Sequence, residues 1–159
     1  YREAGEPAAK GTASFTDIAE GQWYTDAVNW AAEQGVVNGY PDGTFRPEAP
    51  ITRQEMATML YRLAKAEKVE EDKLASFPDA ASVADWAKDG VRAMYALGVT
   101  KGSYDGYGRL CFLPTATISR QEALTMLGRL LELGYAAPEW SFTDSDAIAD
   151  WARGHINTL

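Results

Sequence analysis

The stretch "ITRQE" occupies residues 51–55, and sixty-seven positions later residues 118–122 read "ISRQE". In both copies the hydroxyl and the glutamate, Thr52 with Glu55 and Ser119 with Glu122, keep the S/T-x-x-E spacing of a capping box. There the hydroxyl accepts from the third amide and the carboxylate reaches back to the cap amide. These four residues predict two helix starts, each cap contributing about 1 kcal/mol. Arg53 and Arg120 do not fit that account, because a cation at the first helical position opposes the helix dipole. Asp, Glu or Pro is the usual choice there. An anion is therefore expected beside each arginine. It is either a protein carboxylate such as Asp17 or Asp79, or a ligand gripped at two points by the guanidinium beside the helix amides. Residue types alone leave both open. As exposed cations at a helix start, the two arginines are expected to matter little to folding.

The motif is part of a longer repeat. Phe15-Thr16-Asp17, Phe77-Pro78-Asp79 and Phe142-Thr143-Asp144 recur at spacings of 62 and 65 residues, followed by Trp23, Trp86 and Trp151. Gly35-Val36 and Gly98-Val99 come twelve residues after the first two tryptophans, then Gly39 and Gly102, Pro47 and Pro114, and the two RQE segments. Each unit reads as helix, loop, helix. The first helix is carried by Trp23, Ala27, Val28, Ala31 and Ala32, or by Trp86, Gly90, Val91, Met94 and Tyr95, and is ended by the glycine. The second begins at RQE with apolar positions Met56, Met59, Leu60 and Leu63, or Leu124, Leu127, Leu130 and Leu131. The recurring tryptophans are expected as packing anchors or groove walls.

Between the helices, "NGYPDGTFRPEAP" is dense in Gly and Pro and predicts tight turns. The second copy carries four extra residues before Phe112, which predicts a longer hairpin with Cys111 as a small filler in its second arm. Tyr1-Arg2, Tyr61-Arg62 and Gly128-Arg129 recur ahead of the three Phe-x-Asp segments. The expected organisation is the end of a preceding repeat and linker at 1–14, a first repeat at 15–76, a second at 77–141 and the start of a third at 142–159. With neither an initiator Met nor an apolar signal core, the chain reads as a piece of something longer.

The 159 residues suit one compact domain or a short repeat array. A net charge of -8 argues against nucleic acid or anionic lipid as a partner, so any anion must be held by a few locally placed cations. No apolar run approaches the roughly 20 residues needed for membrane insertion. One cysteine and one histidine, Cys111 and His155, provide no disulfide framework and no zinc site. The Asp-Gly turns have a single carboxylate each, too few for a calcium loop. No Ser-His-Asp set, Cys-His pair or carboxylate dyad is present, so no enzyme activity, cofactor or metal is expected.

The order F-x-D, W-x(3)-A-V, G-V-V-N-G-Y-P-D-G-T-F-R-P, I-T-R-Q-E is similar to the S-layer homology module of bacterial cell-surface proteins, from about Phe15 to Leu159. The second copy departs from the pattern in its longer loop, which lacks the Thr-Phe. The resemblance implies a mainly α fold of tandem helix-loop-helix repeats, a pseudo-threefold spindle whose first helices form a central three-helix bundle. It also implies non-covalent anchoring at the bacterial cell surface, in the cell wall or S-layer. The partner would be a secondary cell wall polysaccharide, in particular a pyruvylated amino sugar. The motif arginine is then the carboxylate ligand, which turns Arg53 and Arg120 toward the ligand reading. Around them the glycan-binding set is Tyr40, Asp17, Asp79, Gly39, Gly102 and Trp30. Tyr40, and less clearly Tyr104, is placed to cover a sugar face. The rival reading is a helical-repeat module for protein partners or self-assembly, in which RQE only starts helices. The third repeat stops before its own arginine, so the end near Leu159 is expected to be the weakest part of the fold. A neighbouring chain could complete that repeat by covering Ile156 and Leu159.

Overall fold

The computed structural model describes residues 1, 5–7, 11, 15–70, 73–133 and 142–159. They are mainly helical. Five α-helices, α1 (Thr25–Glu33), α2 (Arg53–Ala64), α3 (Lys88–Ala96), α4 (Arg120–Leu130) and α5 (Asp150–Thr158), are joined by loops and short 3-10 turns. One hairpin, β1 (Ser103–Tyr104) with β2 (Leu110–Cys111), pairs Ser103 with Cys111 and Tyr104 with Leu110. This is the longer hairpin expected from the four extra residues. The end of a preceding repeat and linker expected at 1–14, and the end of the 77–141 segment, fall largely outside the described residues.

The chain divides into two compact units, Tyr1–Pro50 and Ile51–Leu159. In the first, α1 ends as its sequence predicts. Gly35 takes φ +69, the Val36 amide reaches the Ala31 carbonyl at 2.8 Å, and the Gly35 amide reaches that of Ala32 at 3.0 Å. This double closure satisfies carbonyls the helix end would otherwise orphan. Gly98 closes α3 in the same way, with Val99 bonded to Met94 and Gly98 to Tyr95.

In the second unit the second helix of one repeat packs on the first helix of the next: α2 lies along α3, and α4 along α5. Small residues bring each pair close. A Cβ on Gly90 of α3 would stand 2.9 Å from the Thr58 Cα, and one on Gly128 of α4 would stand 2.8 Å from the His155 ring. The core joins Ala57 and Leu60 of α2 to Val91, Ala93 and Met94 of α3, with Leu74, Phe77, Val83, Val99 and the fully buried Phe112 from the intervening segments. Burying a side chain of that size stabilises by about 1.5–3 kcal/mol.

Three expectations need correction. The buried stripe of α2 is Arg53, Gln54, Ala57, Thr58 and Leu60, and that of α4 is Thr125, Met126 and Gly128. Met56 and Met59 are only half-buried, because the contact face of α2 contains the motif's own Arg53 and Gln54, and Leu131, just past the end of α4, is exposed. The tryptophans are not buried anchors: Trp23 is 89% exposed, and Trp86 and Trp151 are also exposed. Only Trp151 lies inside its α-helix; α1 and α3 begin two residues after Trp23 and Trp86.

Candidate functional site

Both capping boxes form as read. The Glu55 amide bonds to the Thr52 hydroxyl at 3.4 Å, while the Thr52 amide donates to the Glu55 carboxylate at 2.7 Å. Ser119 and Glu122 reproduce this at 3.4 and 2.8 Å.

What lies between hydroxyl and glutamate is a clasp on the following repeat. Gln54 Oε1 accepts the Ala84 amide and Gln121 Oε1 the Ala149 amide, each at 3.0 Å, just ahead of the next repeat's first helix. Arg53 donates from Nε to the Phe112 carbonyl at 2.8 Å and from Nη1 to Glu122 Oε1 at 2.9 Å. Its partner is thus the glutamate of the next motif copy, and neither Asp17 nor Asp79. Arg53 is 6% exposed, so the expectation of an exposed cation is overturned there. Burial lowers its pKa from the ordinary value, and Glu122 and Asp79 act in the opposite direction. An arginine stays charged under such a shift, so the pair remains ionic.

The open helix amides expected beside an anion are also taken in α2. The Arg53 amide donates to the Ala116 carbonyl at 3.0 Å and Gln54 to Pro114 at 3.1 Å, while Thr52 bridges Thr117. Arg120 differs. It is exposed, and among the described residues neither its guanidinium nor the amides of Arg120 and Gln121 have a partner.

The Phe-x-Asp segments build the loops. In the first unit, Asp17 accepts the Phe45 amide at 2.8 Å and the Arg46 amide at 2.7 Å. In the second, Asp79 accepts those of Phe112 and Leu113 at 2.9 and 2.7 Å. Each carboxylate secures a residue in the left-handed region, Arg46 at φ +60 and Leu113 at φ +58. The amide bonds, Phe45 foremost, lower the Asp17 pKa from its ordinary value. Gly39 and Gly102 leave room for the Phe of the same segment. A Cβ would fall 2.4 Å from the Phe15 ring at one and 2.7 Å from the Phe77 ring at the other. These four positions therefore hold loop geometry.

Tyr40 lies under Arg46, whose guanidinium sits 4.1 Å from the ring centroid and pairs with Asp42 at 2.8 Å. Bonds from Thr44 and Arg46 hold the Asp42 pKa at about 2. Trp30 packs at 6.1 Å against the Tyr1 ring. Tyr40, Trp30, Asp17 and Gly39 belong to the first unit; Arg53, Gly102, Asp79 and Arg120 belong to the second.

Within the second unit a groove of about 420 Å³ opens beside Arg53. Its walls are Thr100, Lys101, Ser103, Tyr104 and Leu110 from the loop, Glu122, Met126 and Arg129 from α4, and Trp151 from α5. Gly102 and Arg53 are the candidates from the sequence that it brings together. Lys101, Arg129, Thr100 and Met126 were not singled out as site residues. Arg129 has a signal in the sequence, since arginine recurs at positions 2, 62 and 129, at the repeat ends. A volume of this size, two exposed aromatic faces and a few cations suit a polar ligand with apolar faces, such as a charged sugar.

A family model described as "S-layer homology domain" matches residues 14–57 and 76–124. Among curated proteins the chain is similar to cell surface glycoprotein 1 of Acetivibrio thermocellus, at 33% identity over 92% of this chain and 7% of that protein. It is 36% identical to a cellulosome-anchoring protein of the same organism, over 76% of this chain and 26% of the relative. It is 31% identical to S-layer protein EA1 of Bacillus anthracis, over 96% and 17%. The chain therefore spans about a quarter or less of the length of these relatives. The stretches matched by the family model make up more than half of the chain, and with the repeated clasp and loop they place it in a family: this chain belongs to the S-layer homology domain family.

Proposed function

We propose that this chain anchors a larger protein non-covalently at the bacterial cell surface by holding a secondary cell wall polysaccharide. The observation that carries the reading is the groove of the second unit, with Tyr104 and Trp151 exposed beside cations. Aromatic faces cover sugar C–H groups while cations take a carboxylate. The names of its relatives, a cellulosome-anchoring protein and an S-layer protein, support an anchoring role. The ligand proposed is a pyruvylated amino sugar. Arg53 faces it with the nitrogen left over from its protein bonds, with Arg120 as a further contact of the second unit; Tyr40 and Trp30 are proposed as sugar contacts of the first unit by itself. The finer architecture proposed is a pseudo-threefold spindle with α1, α3 and α5 as a central bundle, supported by the three similar Phe-x-Asp and Trp segments. Repeats at 15–76 and 77–141, and a third beginning at 142, are part of the same proposal.

One observation favours the rival reading, a repeat module that binds protein alone: Arg53, Gln54 and Glu55 each have a protein partner. Co-sedimentation of the chain with purified wall polysaccharide, before and after mild acid removal of its pyruvate, separates the two. Binding to the native polymer, lost with the ketal, is expected. A folded chain that sediments with neither polymer overturns the glycan reading.

A further inference from the structure

We propose that Asn38 is a self-modifying site, where attack by the Gly39 backbone nitrogen converts the side-chain amide into aspartate and isoaspartate. The isoaspartate product then opens the loop of the first unit. The inference goes beyond glycan binding and does not depend on it.

The asparagines of the chain are Asn29, Asn38 and Asn157. Asn29 is buried within α1 ahead of Trp30, and Asn157 lies within α5 ahead of Thr158. In a helix the amide that would attack is bonded to the carbonyl four residues back. Asn38 has no such protection. It is exposed, outside every helix and strand, and followed by glycine, which leaves the attacking nitrogen unhindered. Among the described residues neither its side chain nor the Gly39 amide has a hydrogen-bond partner.

The same loop contains a related dipeptide that the fold does protect. Asp42 precedes Gly43, but it accepts from the Thr44 amide at 3.1 Å, the Thr44 hydroxyl at 2.6 Å and Arg46 at 2.8 Å. These bonds, that of the Thr44 hydroxyl foremost, hold its pKa at about 2, and an ionised carboxylate is a poor target for attack. The Gly43 amide is itself engaged, donating to the Tyr40 carbonyl at 3.0 Å. In the second unit Asp105, ahead of Gly106, is held by the Tyr107 and Arg109 amides and the Arg109 side chain. There Gly102, the counterpart of Gly39, is preceded by Lys101, which has no side-chain carbonyl.

The reaction needs only water and hydroxide. The Gly39 nitrogen gives its proton to hydroxide and bonds to the Asn38 Cγ; the Cγ–Nδ2 bond breaks, and that nitrogen takes a proton from water and leaves as ammonia. Water then opens the cyclic imide. Cleavage of the new Cγ–N bond gives aspartate on the original backbone. Cleavage of the original peptide bond gives isoaspartate, whose main chain runs through Cβ and Cγ and is longer by a carbon. The loop has no room for it. Gly39 takes φ +65, and even a Cβ there would stand 2.4 Å from the Phe15 ring and 2.7 Å from the Thr44 carbonyl oxygen. The Tyr40 amide bonds to that same carbonyl at 2.8 Å. Displacing Gly39 therefore breaks the Tyr40–Thr44 closure and unseats the Phe45 and Arg46 amides from Asp17. The loop of the first unit has a finite lifetime that its counterpart does not share.

The experiment ages the full chain, Asn38→Lys and Asn38→Asp in mildly alkaline buffer, for as long as a free peptide of residues 36–42 needs to react to completion. Peptide mapping and ammonia release follow the chemistry, and NMR hydrogen exchange follows the loop amides. The parent chain should release ammonia from Asn38, at a rate proportional to hydroxide concentration, and yield isoaspartate as the larger product. Asn38→Lys, which copies the second unit, should release none. In the isoaspartate product the Tyr40 amide should exchange about tenfold faster or more, as the loop opens locally. Asn38→Asp has the new charge without the added carbon and should keep the parental protection at Tyr40, Phe45 and Arg46. An intact Asn38 after the free peptide has reacted, ammonia arising from Asn29 or Asn157 instead, or aspartate as the sole product overturns the proposal. So does an isoaspartate chain whose Tyr40 amide exchanges at the parental rate.

Discussion

Arg53 and Arg120 occupy the same position in two copies of one motif, yet they are in different physical states. Arg53 is buried, bonded to a carbonyl and a carboxylate of the next repeat, and its helix amides are covered by carbonyls of the next loop. Arg120 is exposed, with no partner among the described residues. The local helix starts are alike in every capping bond. The difference lies in the segment that reaches the helix end: residues 112–118 supply the Phe112 carbonyl, the Pro114 and Ala116 carbonyls and the strand-like bridge at Thr117. A five-residue motif therefore specifies half of a joint. The other half is the loop and glutamate of the following copy.

The largest effect expected from this contrast is on stability. Arg53→Ala removes the donor for the Phe112 carbonyl and breaks a buried pair, at a cost of about 3 kcal/mol. The low end of the usual range applies because Glu122 keeps its bonds to Ser119. Arg120→Ala should shift stability by no more than about 0.5 kcal/mol. Urea denaturation of both variants measures the gap, and equal midpoints would break the comparison. The sequence alone led to the opposite expectation for Arg53, since the first residue of a helix is ordinarily at the surface.

The helix pairs behind the two motifs offer a second, smaller contrast. A methyl at Gly90 meets the Thr58 backbone, which cannot move without its helix, so Gly90→Ala should cost about 2–3 kcal/mol. At Gly128 the methyl meets the His155 side chain, and Gly128→Ala should cost about 1–2 kcal/mol. Adding His155→Ala to Gly128→Ala should recover part of that loss, whereas no side-chain truncation relieves Gly90→Ala. Thermal melts of the three variants check the order.

The smallest effect differs in sign. Thr58 donates its hydroxyl to the Gln54 carbonyl at 2.8 Å, while the buried Thr125 hydroxyl has no hydrogen-bond partner among the described residues. Thr58→Val should cost about 1 kcal/mol, and Thr125→Val should gain a similar amount by removing an unsatisfied polar group. Changes of the same sign would show that the two helix pairs are more alike than their hydroxyls suggest.

Much of the local structure was legible from residues alone. The caps at Thr52 and Ser119, the glycine stops at Gly35 and Gly98 and the hairpin before Phe112 depend on groups within a few positions of one another, where chain geometry allows few alternatives. The helix faces were not legible, because an apolar count points to Met56 and Leu131 while the contact face contains Gln54 and Thr58. Buried polar residues look like surface residues until their partners are known. The Asp17 and Asp79 clamps escaped for a related reason: their amides lie 28 to 34 residues away.

By itself, then, the sequence determined where helices begin and end, that the unit is repeated, and the family to which the repeat belongs. Only the tertiary structure decided that α2 pairs with α3 and α4 with α5, that Arg53 meets Glu122, and that Lys101, Arg129, Tyr104 and Trp151 line one groove. The physical reason is range. A capping bond closes over three residues, but an ion pair or a groove is assembled from segments tens of residues apart, whose meeting is set by the packing of whole helices.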